Sequence, residues 1–131
     1  MEAAFALAGV VIGAALTLAI QNRQGARDVS LSARLELPVV RSAVWAPQPL
    51  TALREVIGRS RARARLLRVD QQAVDRLEEV SRRCWDESRE HWEQYQDVEA
   101  AGISVELSRE LDDAVNALDE AFERAGKRWR L

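Results

Sequence analysis

The chain has 131 residues, 31% of them charged and 5% aromatic, with a formal net charge of -2 and one cysteine. That length leaves room for one small domain, and so few aromatic residues speak against a sandwich or barrel core and for a helical or coiled-coil protein. The lone Cys84 excludes an intramolecular disulfide, which suits a reducing cytoplasm.

The first element is Ala3 to Ile20, eighteen residues without a charge. As a helix rising 1.5 Å per residue it spans roughly 27 Å, close to the ~30 Å of a bilayer's hydrocarbon core. It reads as a transmembrane anchor over residues 1–22. A signal peptide fits less well, because Glu2 is the only charged side chain before the run and Thr17-Leu18-Ala19 only loosely imitates a cleavage site. A buried core helix would need other strongly apolar segments around it, and none follows. Arg23 and Arg27 come after the span and no basic residue precedes it, so the body is expected on the cytoplasmic side of the inner (cytoplasmic) membrane. Within the span Gly9 and Gly13 form a GxxxG that Thr17 extends by a turn, a face on which two helices approach closely in lipid.

Residues 23–49 read as a juxtamembrane connector. From Asp28 to Leu37 apolar and polar residues alternate strictly, the pattern of a half-buried strand that Pro38 would end or place at an edge. No second strand offers itself as a partner, so the segment is read as an irregular or extended connector. A helical continuation of the anchor stopping before Pro38, and a strand pairing between subunits, stay open. Trp45, Pro47 and Pro49 mark an irregular stretch; Trp45 suits either a membrane interface or the cap of a bundle, and Pro49 and Leu50 suit the start of a helix.

Residues 50–131 read as a long antiparallel helical hairpin, coiled-coil-like. Leu53, Ile57, Ala64, Leu67, Val74, Leu77, Cys84, Trp92, Tyr95 and Val98 recur at the spacing of one buried helix face. Asp70 is placed to cap a separate helix, so the first arm is one piece or two. Gly102 and Ile103 punctuate the chain, Ser104 is the expected cap of the second arm, and Leu107, Leu111, Ala114, Val115, Leu118, Phe122, Ala125 and Trp129 form its apolar stripe. Counting outward from Gly102 sets Leu111 near Trp92, Phe122 near Cys84 or Trp85, and Trp129 near Val74 or Leu77. The stripe from Leu50 to Ala73 then needs cover, from the connector or from a second subunit.

Charge is unevenly divided along the chain. From Met1 to Arg68 there are ten basic and four acidic residues, and from Val69 to Leu131 nine and seventeen. The basic half adjoins the proposed membrane and the acidic half is expected far from it. Eighteen arginines to one lysine is a bias associated with GC-rich bacterial genomes.

The sharpest local charge feature is Arg59, Arg61, Arg63, Arg65 and Arg68. Arginine binds phosphate well, so anionic lipid or nucleic acid is conceivable, but alternating arginines spread around a helix and weaken a groove-reading role. A solvated face is the plainer reading. His91 lies a turn after Glu87, yet it is the single histidine and a metal site in a bundle needs several such pairs. Trp85, Trp92 and Tyr95 fit a hairpin core better than a ligand box, and Cys84 fits a buried inert thiol. No phosphate loop, CxxC or catalytic constellation occurs. The expectation is therefore a single-pass, membrane-anchored, self-associating scaffold without catalysis, cofactor, metal or small-molecule substrate. Its partners are membrane lipid and a second copy or another membrane protein. The alternatives are an accessory subunit of a secretion, conjugation or phage-related assembly, and a binder of anionic lipid or nucleic acid through the arginine run.

Overall fold

The computed structural model describes residues 23–95 and 102–128, and these are almost wholly helical. Four helices follow one another: α1 (Arg23–Ala43), α2 (Leu50–Leu66), α3 (Gln71–Tyr95) and α4 (Val105–Arg128). Each packs on the next, and α4 returns to α1, so they close into an up-down-up-down bundle. Antiparallel order is fixed by cross-helix bonds: Ser30 donates to the Phe122 carbonyl, Arg34 pairs with Asp119 and Arg41 with Asp112 between α1 and α4. Among the described residues no helix is long and apolar enough to cross a membrane. The stretch Ala3 to Ile20, with Gly9, Gly13 and Thr17, lies outside them.

The segment expected to be an extended connector is a helix, and its alternation has a helical explanation. Apolar residues at every second position make two stripes of spacing four, Val29-Ala33-Leu37 and Leu31-Leu35-Val39, about 200° apart on a helix. The first stripe is buried, joined by Ala26 and Val40, whereas Leu31, Leu35 and Val39 remain exposed. Pro38 lies inside this helix and forfeits a backbone bond, at ~3 kcal/mol in a helix interior. Leu37, Val40 and Val44 are fully buried around it and offset that loss, at ~1.5–3 kcal/mol each for large aliphatic side chains. Helix α1 also packs along α2, whose Leu53, Val56 and Ile57 are buried, so the stripe that needed cover is enclosed by the bundle itself.

The link between α1 and α2 is tied down by α3. The amide of Ala46 donates to Ser88 Oγ at 2.9 Å, and Trp85 Nε1 donates to the Gln48 carbonyl at 3.0 Å. Helix α2 ends in a Schellman arrangement: the Val69 amide reaches back to the Ala64 carbonyl and the Arg68 amide to that of Arg65. Arg68 takes the left-handed conformation there, with φ 58°. Asp70 then caps α3 through the Gln72 amide at 2.9 Å, so the first arm of the expected hairpin is two helices. Ser104 caps α4 through the Leu107 amide at 3.2 Å, with Glu106 in the first turn.

The register between α3 and α4 differs from the count made outward from Gly102. Arg83 pairs with Glu110, and the Cys84 thiol meets the Leu107 carbonyl, so Leu111 sits opposite the Val80–Cys84 region, more than two turns below Trp92. The offset is already present at residues 102–104, which are not helical and lie beside α3. His91 Nδ1 lies 2.7 Å from the Gly102 carbonyl, and the Ser104 amide donates to Glu87 at 3.1 Å. Phe122 is correspondingly lower, level with Ser30, and Trp129 lies outside the described residues.

The core is aliphatic, centred on Leu37, Leu67, Leu77, Leu118 and the fully buried Phe122. Trp85 and Trp92, expected in it, are half-buried at the margin. The side chain of Tyr95 is outside the described residues.

Candidate interaction surfaces

The arginine run comes first because the fold gives most of it a structural task. Arginines two apart on α2 point alternately toward its two neighbours. Arg59 and Arg63 both bind the Glu36 carboxylate on α1, while Arg61 binds Asp75 and Glu78 on α3. Burial pushes the Glu36 carboxyl up, but hydrogen bonds from Arg63 and Arg59 outweigh it and hold the group below the usual carboxylate range. Hydrogen bonding to Asp75 raises Arg61 in the same sense, against the effect of burial. Arg65 and Arg68 are exposed and make no ion pair among the described residues. The run is therefore three bundle-closing side chains and two outward ones, and its distant carboxylate partners left no local trace in the sequence.

The second surface is the end of the bundle where the chain enters. Arg128 Nη2 donates to the Leu67 carbonyl at 3.3 Å, which seats the last turn of α4 on the α2–α3 link. A shallow concavity of about 640 Å³ there is lined by Arg68, Arg124, Lys127 and Arg128 with Val69 and Asp70. Beside it, between α1 and α4, a groove of about 490 Å³ is lined by Arg27, Asp28, Arg34, Glu123, Gly126 and Lys127. The antiparallel fold thus carries Arg124, Lys127 and Arg128 out of the acidic half of the sequence to the end where α1 starts. Division along the chain and division in space are different things here, and the basic side chains of both halves meet at one end.

The third surface is apolar. On α1 the outward stripe leaves Leu31 55%, Leu35 70% and Val39 44% exposed. Of the charged side chains beside it, Arg34 is turned to Asp119, Glu36 to Arg59 and Arg63, and Arg41 to Asp112, while exposed Arg27 and Asp28 stand at its end next to Leu31. Sequence reasoning missed this surface because it took both stripes for one strand face.

The groups that could suggest chemistry are engaged in holding the fold. His91 and Glu87 fasten the start of α4, as above. Cys84 is fully buried, and burial together with the nearby Glu87 charge pushes its thiol up to about 11, far from a reactive thiolate. Two guanidinium groups stand over the Trp85 ring, Arg89 at 4.9 Å and Arg82 at 5.6 Å from its centre, which stiffens the side chain that clamps Gln48. No group of three or more potential metal ligands occurs among the described residues. Compared with protein-family models, curated protein sequences and solved structures, the chain shows no significant match to any of them.

Proposed function

We propose that the chain is a membrane-anchored, self-associating helical scaffold. One observation carries the reading: an eighteen-residue uncharged stretch, Ala3 to Ile20, leads within three residues into a four-helix bundle that has its core inside and an unused apolar stripe outside. On this reading the first stretch holds the bundle at the cytoplasmic face of a membrane, and Gly9, Gly13 and Thr17 pair two copies. The test is fractionation of the tagged full-length chain, with carbonate extraction and protease added to intact cells. Retention in the carbonate pellet with a shielded C-terminus is expected. A carbonate-soluble chain, or a shortened product outside the cytoplasm, overturns the anchor.

A second reading, contact with anionic lipid, is favoured by the basic end of the bundle. Arg65, Arg68 and Arg124 lie toward the end where α1 starts, facing the headgroups if the anchor reading holds. Replacing these three by glutamine is expected to abolish salt-sensitive retention on phosphatidylserine-containing vesicles; unchanged retention rules the reading out.

A further inference from the structure

Helix α1 is apolar on two opposite faces, and only one of them has a partner inside the bundle. A helix of a small soluble bundle keeps its outer face polar. Here that face carries Leu31, Leu35 and Val39 at spacing four; the flanking charges of Arg34, Glu36 and Arg41 are drawn to carboxylates or guanidinium groups of the same chain, and the exposed pair Arg27 and Asp28 precedes Leu31 by one turn. From Leu31 to Val39 the stripe is uncharged along two turns, and Arg27 and Asp28 bound it at its start.

Its place along the chain says what covers it. Leu31 follows Gly13 by eighteen residues, and Leu35 follows Thr17 by eighteen. At 3.6 residues per turn, eighteen residues are five whole turns, so on one continuous helix both stripes lie on the same side. We infer that Leu31, Leu35 and Val39 pack against the same residues of a second copy, in parallel, prolonging the Gly9-Gly13-Thr17 pairing face beyond the membrane. This rests on the anchored, self-associating reading above. It adds the residues, the partner and the direction of the contact outside the membrane.

Parallel order follows from topology, because two copies anchored by their N-termini in one bilayer leave it on the same side. In such a pair each residue of the seam meets its own equivalent. An antiparallel pair would also set Leu35 against Leu35, but it would place Leu31 against Val39. The size of the stripe explains why the anchor is needed. Three side chains cover on the order of a few hundred Å², well short of the ~1,200 Å² of a stable free-standing interface. Tethering in one membrane raises the effective concentration and makes so small a contact sufficient.

The test uses the full-length chain in isolated membranes. Leu31→Cys and Leu35→Cys are compared with Asn116→Cys, an exposed position on α4, under mild oxidation with copper phenanthroline; the native Cys84 is buried and serves as background. Disulfides form only where Cα atoms come within about 7 Å, so both stripe variants are expected to give several-fold more disulfide-linked dimer than Asn116→Cys. Adding Gly9→Ile and Gly13→Ile is expected to lower the yield at both positions together. Dimer at Leu35 without dimer at Leu31 overturns the parallel order. A product heavier than two chains overturns the second copy as occupant, and yields no higher than at Asn116 overturns the contact itself. Carbonate extraction of the same membranes separates these failures from loss of the anchor: a chain that stays in the pellet without linking through the stripe leaves the anchored reading standing.

Discussion

Helices α4 and α2 hold to the bundle in different ways. Helix α4 buries Leu107, Leu111, Ala114, Val115, Leu118, Phe122, Ala125 and Gly126, an unbroken stripe whose last turns come so close to α1 that a Cβ on Gly126 would stand 2.7 Å from Ser30 Oγ. Helix α2 buries Leu53, Val56, Ile57, Ser60 and Ala64, and the fully buried Ser60 hydroxyl has no hydrogen-bond partner among the described residues. Beside α2 lies an open groove of about 480 Å³ toward α3, lined by Ile57, Gly58, Arg61 and Glu78 among others, and arginines on α2 reach to α1 and α3. One helix is fixed by close packing of carbon, the other by ion pairs over looser ground. The physical consequence is a difference in sign: added bulk on α4 harms the fold, whereas one change on α2 and one just past its end improve it.

The largest expected effect is at the tightest point. Gly126→Val forces α4 away from Ser30 and breaks the 2.7 Å bond from Ser30 to the Phe122 carbonyl. Overpacking of this kind costs ~2–3 kcal/mol, to be read from the shift in urea midpoint at constant slope. Pairing it with Ser30→Gly should recover part of the loss, and full additivity of the two changes would show that they do not meet.

Next in size is the carboxylate that fastens α2 to α1. Glu36→Gln leaves Arg59 and Arg63 facing a neutral group, and with Arg59 half exposed the cost at neutral pH is ~1–2 kcal/mol. Acid should mimic it. Because hydrogen bonds from Arg63 and Arg59 hold the folded pKa below the ordinary 4.5 despite burial, the contribution of Glu36 is complete above that value and disappears as pH falls through the folded one. The natural chain is therefore expected to lose stability more steeply below about pH 4.5 than Glu36→Gln does. Parallel stability profiles for the two chains would remove this role.

The contrast between the two helices also explains what was legible in the sequence. Helix α4 could be read from its own residues: Leu107 to Ala125 recur at helical spacing and are buried, and Ser104 caps as a local rule requires. Asp70 marked the start of α3 for the same reason. Local rules failed wherever the answer lay on another helix. Glu36 is 23 and 27 residues from the arginines it binds, so those arginines looked solvated. On α1 two apolar stripes interleave, and without the bundle in view period two and a double period of four are the same string of letters. The hairpin register failed for another reason, since it was counted outward from Gly102 as the point of reversal, whereas Gly102 already lies beside His91. The aromatic residues misled too. A core of aliphatic side chains, Cys84 and one Phe leaves Trp85 at its rim, where it clamps the Gln48 carbonyl.

On α2 the expected changes are gains. Gly58 is exposed in mid-helix, and a Cβ there would find nothing within 4 Å. Gly58→Ala should therefore stabilise by close to the full propensity difference, ~0.8 kcal/mol, with no steric debit. Native-state hydrogen exchange locates the gain: amides of α2 should slow while those of α4 change little. Equal slowing throughout would mean that α2 opens only with the whole bundle, and the two helices would then share one stability.

The smallest effect belongs to the residue that ends α2, and its sign is decided by two opposed contributions. Arg68 adopts φ 58°, a conformation costing an L-residue with a Cβ ~1–2 kcal/mol, while its amide and that of Val69 close the Schellman turn. Arg68→Gly removes that strain and keeps both amides. Against it stands the greater freedom of glycine in the unfolded chain, worth ~0.4–1 kcal/mol. The strain is the larger quantity, so a net gain of ~0.5 kcal/mol is expected. Loss of the exposed guanidinium also removes one positive charge from a basic end shared with Arg124, Lys127 and Arg128, which adds to the gain at low salt and fades at high salt. Arg68→Ala separates the two causes, since it loses the charge and keeps the strained Cβ. If alanine stabilises as much as glycine at low salt, charge crowding and not backbone strain is what Arg68 imposes on this turn.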